Sequence, residues 1–140
     1  MDVMMQWLHL LGAAIAVGGA CYGAAIVRPA AEALSADARA KLIAGVVERA
    51  RPLAFGVIGV MLLSGFYNLM TKMAGKPPAY HAVLTVKLLL ALHIFTVLFL
   101  LATPVGVNPA RDAKRPRLLR GAAISGVVLL LLSAVLTRGL

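Results

Sequence analysis

Long apolar stretches separated by short polar segments make up most of this chain. Four stretches have the roughly 20 apolar residues that a helix needs to cross a bilayer; they lie at 3–27, 52–72, 80–103 and 118–137. We place all seven prolines at helix ends or in connections, where a missing N–H is tolerated. The pattern predicts an all-α fold in which residues 1–140 form one domain, a bundle of four transmembrane helices.

One face of the first stretch carries small residues. The positions at helical spacing on this face are Gln6, His9, Ala13, Ala16, Ala20 and Gly23. Small residues let helix backbones approach closely in lipid, so we expect this face, and His9 with it, to point into the bundle. We expect the helix to end at Arg28-Pro29, because a proline disfavours helix in the residue before it.

The connections after the first and third stretches differ from each other. Residues 30–50 mix apolar and charged residues at helical spacing, which predicts an amphipathic helix on the membrane surface. Pro52 suits either the first position of the next helix or a kink in one continuous helix, and both interpretations stay open. Residues 105–117 contain one glycine and two prolines, which predicts an irregular loop.

The positive charge is concentrated in these two connections. The chain has 14 Lys and Arg residues against 5 Asp and Glu. The first connection carries Arg28, Arg39, Lys41, Arg49 and Arg51, and the second carries Arg111, Lys114, Arg115, Arg117 and Arg120. The positive-inside rule then predicts a multi-pass protein of the bacterial inner membrane with both connections in the cytoplasm and both termini outside. The expected partner is the lipid bilayer with its anionic headgroups, and no pattern here is typical of nucleic-acid binding.

Few residue sets remain that could carry chemistry. The single cysteine, Cys21, lies in the middle of a span, so neither a disulfide framework nor a thiolate zinc site is expected. The chain has no Gly-rich phosphate loop, Ser-His-Asp set or paired carboxylates, which argues against hydrolase and nucleotide chemistry. The candidates are therefore the ionisable side chains within the spans.

Depth and direction separate these candidates. At a rise of about 1.5 Å per residue, His9 and Lys87 both lie roughly 10 Å below the outer surface, with His81 near that surface and His93 near the midplane. His81, Lys87 and His93 are spaced six residues apart, so at about 100° per residue they point in three directions. They cannot all face one site.

Lys87 has two interpretations. It either extends its ammonium to the nearby headgroups, or pairs with a carboxylate of a ligand, since ionisable groups inside a membrane usually have a function. The acids of the chain are Asp2, Glu32, Asp37, Glu48 and Asp112, and all lie outside the predicted spans or at the terminus. A counter-charge for Lys87 would therefore come from a ligand or a lipid.

The histidines also leave alternatives. His9 is either a neutral core histidine bonded to Tyr67, Asn68 or Gln6, or an axial ligand of haem iron, for which imidazole in a helical bundle is the usual ligand. His93 is as well explained by a hydrogen bond to Thr96 or to another chain as by ligation. Our prediction is haem b bound by His9, with Tyr67, Asn68, Lys87 and His93 as further binding residues.

A group of methionines suggests a second site. Met1, Met4, Met5, Met70, Met73 and His81 lie at the predicted outer ends of the helices. Thioether and imidazole groups are soft ligands that suit Cu(I), so these residues could hold copper; the alternative is that methionine only fills apolar space.

Several short motifs resemble two related membrane groups. They are Trp7-Leu8-His9, Gly18-Gly19, the basic segment that ends in Arg49-Ala50-Arg51-Pro52, Ser64-Gly65-Phe66-Tyr67-Asn68, and Tyr80-His81 followed by Lys87-Leu88-Leu89. The resemblance is to the integral domain of copper-resistance protein D and to the small protoporphyrinogen oxidase HemJ. It implies that His9 is the histidine associated with haem and Lys87 the key lysine, as in the HemJ-like group, or that the chain passes copper across the inner membrane.

These observations predict a haem-binding redox protein that acts in electron transfer or porphyrinogen oxidation, with Lys87 as its catalytic residue and a tetrapyrrole or a quinone-type molecule as its redox partner. Two alternatives are a copper-handling membrane protein and a non-catalytic subunit of a homo-oligomer or larger membrane complex.

Overall fold

The computed structural model describes residues 2–72 and 75–137. They form five α-helices: α1 (Asp2–Tyr22), α2 (Arg28–Glu32), α3 (Ala36–Lys72), α4 (Pro78–Ala102) and α5 (Pro109–Thr137). A π-helical turn at Gly23–Val27 joins α1 to α2. Four helical units are long and apolar enough to cross a membrane, namely Val3–Glu32, Ala36–Thr71, Pro78–Ala102 and Pro109–Val135. The predicted all-α bundle of four transmembrane helices is confirmed.

The four long helices follow one another around the bundle. Helix α1 packs against α3 and α5, and α4 packs against the same two helices from the opposite corner. Short connections make successive helices antiparallel. We call the end with residue 2, the α3–α4 connection and residue 137 the terminal end, and the end with residues 33–35 and 103–108 the basic end.

Small residues bring the helices together in two layers. The layer nearer the terminal end consists of Ala13, Ala16, Val57 and Met61. The layer nearer the basic end consists of Ala20, Val97 and Ala122. The three alanines of α1 in these layers are at most 9% exposed, so the prediction that the small-residue face of the first helix points inward is confirmed there. Large apolar side chains such as Leu63 and Leu89 are 73% and 63% exposed, as expected of a surface that contacts lipid.

The first helix does not end at Arg28-Pro29, so that prediction was wrong. The chain passes Pro29 and remains helical to Glu32. A proline removes a hydrogen bond and crowds the carbonyl four residues earlier. The preceding turn is a wider π-helical one, in which the Arg28 N–H bonds the carbonyl of Gly23, five residues back, and this wider turn accommodates the proline.

Helix α3 settles the interpretation that Pro52 left open. It runs without interruption for 37 residues and contains Pro52, so the predicted surface helix at 30–50 is mostly the first part of α3. At 1.5 Å per residue its length is about 55 Å, against about 30 Å for the hydrocarbon core. The first turns of α3 therefore extend beyond the apolar layer at the basic end.

The prediction of an irregular loop at 105–117 was also wrong. Between α4 and α5, only residues 103–108 lie outside the helices, and α5 contains Pro116 in its interior. Pro109 occupies the first helical position, where its missing N–H would have had no partner in any case. We predicted that all seven prolines lie at helix ends or in connections, but three of them, Pro29, Pro52 and Pro116, lie inside continuous helical segments.

Arg115 organises the connection between α4 and α5. Its side chain is 8% exposed and donates to the carbonyls of Leu101 at 2.8 Å and Thr103 at 2.6 Å. It also donates to the Asp112 carboxylate at 2.7 Å, and that carboxylate accepts the Gly106 N–H at 2.7 Å. The last carbonyls of a helix have no intrahelical donor, and a cation is favourable at this end of the helix dipole. Arg115 therefore supplies both the donors and the charge.

Arg39 makes equivalent contacts at the other connection of the basic end. It donates to the carbonyls of Ala31, Glu32 and Leu34 at 3.1, 3.2 and 3.3 Å. At both connections, an arginine from the following helix caps the carbonyl end of the preceding one.

Gly126 tests the close approach of α1 and α5. A Cβ at this position would lie 2.8 Å from Cγ2 of Val17 and 3.3 Å from its Cβ, and a β-branched side chain in a helix has little freedom to move away. We expect Gly126→Ala to lower the free energy of unfolding by about 1–3 kcal/mol, measured by thermal unfolding in detergent. Gly18→Ala is the matched control because a Cβ there meets open space; equal losses in both variants would contradict the packing described.

Arg115→Met removes the buried cap and leaves the Asp112 carboxylate without its main partner. We expect a loss of about 1–3 kcal/mol in stability, because the carbonyls of Leu101 and Thr103 lose their donor, together with faster proteolysis in residues 103–108. Arg120→Met, at an exposed position of the same helix, should change stability by less than about 0.5 kcal/mol. Matching behaviour of the two variants would show that Arg115 has no capping role.

Candidate functional site

A hydrogen bond between α1 and α3 fixes the position of His9. The His9 Nδ1 atom lies 2.9 Å from Oγ of Ser64, which is 1% exposed. Small residues on α1 allow α3 to approach, and Gly65 lies against the imidazole, where a Cβ would be 3.5 Å from His9 Cε1. His9 is thus held at the helix interface, as its position on the small-residue face predicted.

The serine also determines which ring nitrogen carries the proton. Its hydroxyl hydrogen is directed to the carbonyl of Val60, 2.6 Å from Ser64 Oγ. The Oγ atom must then accept from His9, so the network assigns the imidazole proton to Nδ1. Nε2 is therefore the acceptor atom of the ring. Donating one ring N–H to a fixed partner is the usual arrangement of a histidine that binds a metal with its other nitrogen.

Asn68 lies one turn further along α3, on the same face as Ser64. Its Oδ1 atom is buried and accepts no hydrogen bond from the described residues. An unpaired buried acceptor costs roughly 1–3 kcal/mol, so this position favours a bound molecule that carries an N–H or O–H group. Tyr67, the neighbouring candidate, is partly buried.

Lys87 lies on the inward side of α4. It is partly buried, and Ile94, seven residues later on the same helical face, is 6% exposed. Phe95 packs against the layer that contains Ala13. Lys87 precedes Phe95 by eight residues and His9 precedes Ala13 by four. At about 1.5 Å per residue the lysine is therefore roughly one helical turn nearer the terminal end than His9, and the two residues do not lie at one depth as the sequence analysis predicted.

His93 occupies a different place from both of these residues. It is exposed on α4 and lines a cavity beside α5 with Lys114 and Arg117. The prediction that His81, Lys87 and His93 do not share one site agrees with these positions. Thr96, which we considered as a partner of His93, donates its hydroxyl to the carbonyl of Leu92 at 2.9 Å.

The described residues of the suggested copper site, Met4, Met5, Met70 and His81, lie on three helices at the terminal end. Met4 and Met70 are 59% and 64% exposed, and Met5 and His81 are partly buried. Met1 and Met73 lie outside the described residues. Among the residues that the structure describes, no group of three or more His, Cys, Asp and Glu side chains is arranged to hold a metal ion.

Ser64 is the residue whose role the sequence analysis missed. We considered Tyr67, Asn68 and Gln6 as partners of His9, whereas the structure adds Ser64, one turn before Asn68. The sequence carried one signal of this role. Ser64 places a hydroxyl in the middle of an apolar span, next to a glycine, and such a hydroxyl needs a hydrogen-bond partner in lipid.

Comparison of the chain with protein-family models, with curated proteins and with solved structures finds no match. The resemblance to copper-resistance protein D and HemJ therefore stays a prediction.

Ser64→Ala tests the assigned tautomer and its contribution to stability. The substitution takes the acceptor Ser64 Oγ from the His9 N–H, and we expect a loss of about 1–3 kcal/mol in the free energy of unfolding. Ser133→Ala is the matched control, because the Ser133 hydroxyl bonds the carbonyl of Leu129 in its own helix at 2.8 Å. ¹⁵N NMR of protein in which His81 and His93 are replaced by glutamine should show a protonated Nδ1 at His9, and a proton on Nε2 instead would refute the assignment.

Proposed function

We propose that this chain is a membrane redox protein that binds haem b through Nε2 of His9. The observation that supports this proposal best is the His9–Ser64 hydrogen bond, which holds the imidazole at a helix interface with the proton on Nδ1. These residues fit an axial ligand of haem iron, since an oriented, neutral imidazole inside a helical bundle is what such a ligand requires.

Lys87 is the proposed partner of a carboxylate on the haem or on a tetrapyrrole substrate. The two ion pairs that the described residues form, Arg28 with Glu32 and Arg115 with Asp112, lie at the basic end, and neither of them involves Lys87. Haem carries its carboxylates at the edge of the macrocycle, away from the iron. A lysine about one turn nearer the terminal end than His9 suits that separation.

Haem would supply a redox centre that exchanges single electrons. A quinone-type molecule or a tetrapyrrole is the proposed redox partner, and porphyrinogen oxidation is the activity that we propose if the partner is a tetrapyrrole. The buried Oδ1 of Asn68, which accepts no hydrogen bond from the described residues, favours this choice, because a porphyrinogen carries pyrrole N–H groups that can donate to it.

The proposed orientation places the basic end in the cytoplasm and the terminal end outside, across the inner membrane of a bacterium. The basis is the positive-inside rule, applied to the connections that carry Arg39 and Arg115.

Absorption spectroscopy of the protein purified in detergent from a haem-replete host tests the haem proposal. We expect a Soret band that His9→Ala abolishes and that His81→Ala and His93→Ala leave in place. Ser64→Ala should keep the band but shift the reduction potential, because the hydrogen bond to the ligand is lost. A wild-type protein without a Soret band, or a band that is unchanged in His9→Ala, would overturn the proposal.

A further inference from the structure

A cavity of about 220 Å³ lies between α4 and α5, near the basic end. Its lining consists of His93, Val97, Lys114, Arg117, Leu118 and Gly121. Three of these side chains are cations or hydrogen-bonding groups, and none is an acid. The cavity is separate from the His9–Ser64 contact, which involves α1 and α3.

The helical spacing explains why these groups converge. His93 and Val97 are one turn apart on α4, and on α5 Lys114, Arg117 and Gly121 follow one another at intervals of three and four, which places them on one face. The His93 ring lies close to Gly121, where a Cβ would be 3.9 Å from Nε2 of His93. The imidazole therefore points toward the α5 face that carries the two cations.

The described residues do not balance the positive charge of this region. Lys114 and Arg117 take part in neither of the two ion pairs among the described residues, and the nearby Asp112 carboxylate is already bonded by Arg115 and Gly106. Arg111, one turn before Lys114, has buried Nε and Nη2 atoms without an acceptor in the described part of the chain. Donors thus exceed acceptors at this end of α5, which favours an anion.

The surroundings indicate where the anion comes from. His93, Lys114 and Arg117 are exposed on the outside of the bundle, where the basic connection meets the apolar part of α5. Exposed apolar residues continue from the cavity toward the terminal end, with Leu89 one turn before His93 and Ile124 one turn after Gly121; they are 63% and 67% exposed. A cationic cavity followed by an apolar track matches a lipid with an anionic headgroup and acyl chains.

We propose that this cavity binds the phosphate group of an anionic phospholipid from the leaflet at the basic end. Lys114 and Arg117 pair with the phosphate charge, His93 donates a hydrogen bond from the deeper side, and the acyl chains follow the exposed side chains of Leu89 and Ile124. This inference does not depend on haem binding.

Native mass spectrometry of the delipidated protein, with phosphatidylglycerol or phosphatidylcholine added, tests the site. We expect one phosphatidylglycerol to be retained per chain, with phosphatidylcholine lost. Lys114→Gln combined with Arg117→Gln should weaken retention of phosphatidylglycerol by about tenfold or more, as expected for the loss of two basic contacts. His93→Phe, which keeps the ring volume, should weaken it by a smaller factor.

Arg49→Gln combined with Arg120→Gln is the matched control, because it removes two exposed charges of the basic connections that do not line the cavity. An equal loss in this control would show a general attraction to positive charge and overturn the site. Inorganic phosphate that binds at the cavity without any preference for phosphatidylglycerol would overturn the lipid assignment in favour of a soluble phosphate compound. Circular dichroism and size-exclusion chromatography establish that each variant compared is folded.

Discussion

Carbonyl groups at the end of a helix need hydrogen-bond donors, and the four-helix arrangement depends on how this need is met at the basic end. Arg39 and Arg115 each reach back from one helix to the last carbonyls of the helix before it. Each contact joins two consecutive helices and sets where the chain reverses. The arginines whose charge predicts the topology thus also hold the two turns between consecutive helices.

The same requirement governs the apolar interior, where hydroxyl and imidazole groups must find partners within the protein. The Ser64 hydroxyl donates to the carbonyl of Val60 and accepts from the His9 imidazole. One short chain of hydrogen bonds therefore joins the two helices. Small residues accompany this contact, since Gly65 lies against the imidazole, where a Cβ would be 3.5 Å from His9 Cε1. The packing of α1 against α3 and the position of the His9 imidazole proton therefore both follow from this contact.

The number of spans follows from the sequence because apolar length alone decides it. Helix boundaries do not, since they depend on tertiary contacts: α5 starts at Pro109 with Arg115 holding the turn, and the first helix continues past Pro29 through a wider turn. The inward direction of His9 could be predicted from the spacing of Ala13, Ala16 and Ala20. Its contact with Ser64 could not, because it depends on the relative rotation and depth of two helices.

The unbroken length of α3 has a mechanical consequence. Residues outside the apolar layer, near Ala36, and the residue that contacts the imidazole, Ser64, belong to one continuous helix. The helix bends most easily at Pro52, where a backbone hydrogen bond is missing, so a tilt of its water-facing part is divided between a bend at Pro52 and a displacement of the Ser64 hydroxyl. Part of a force applied at the surface of the membrane is thereby transmitted to the hydrogen bond of a histidine that is partly buried between helices.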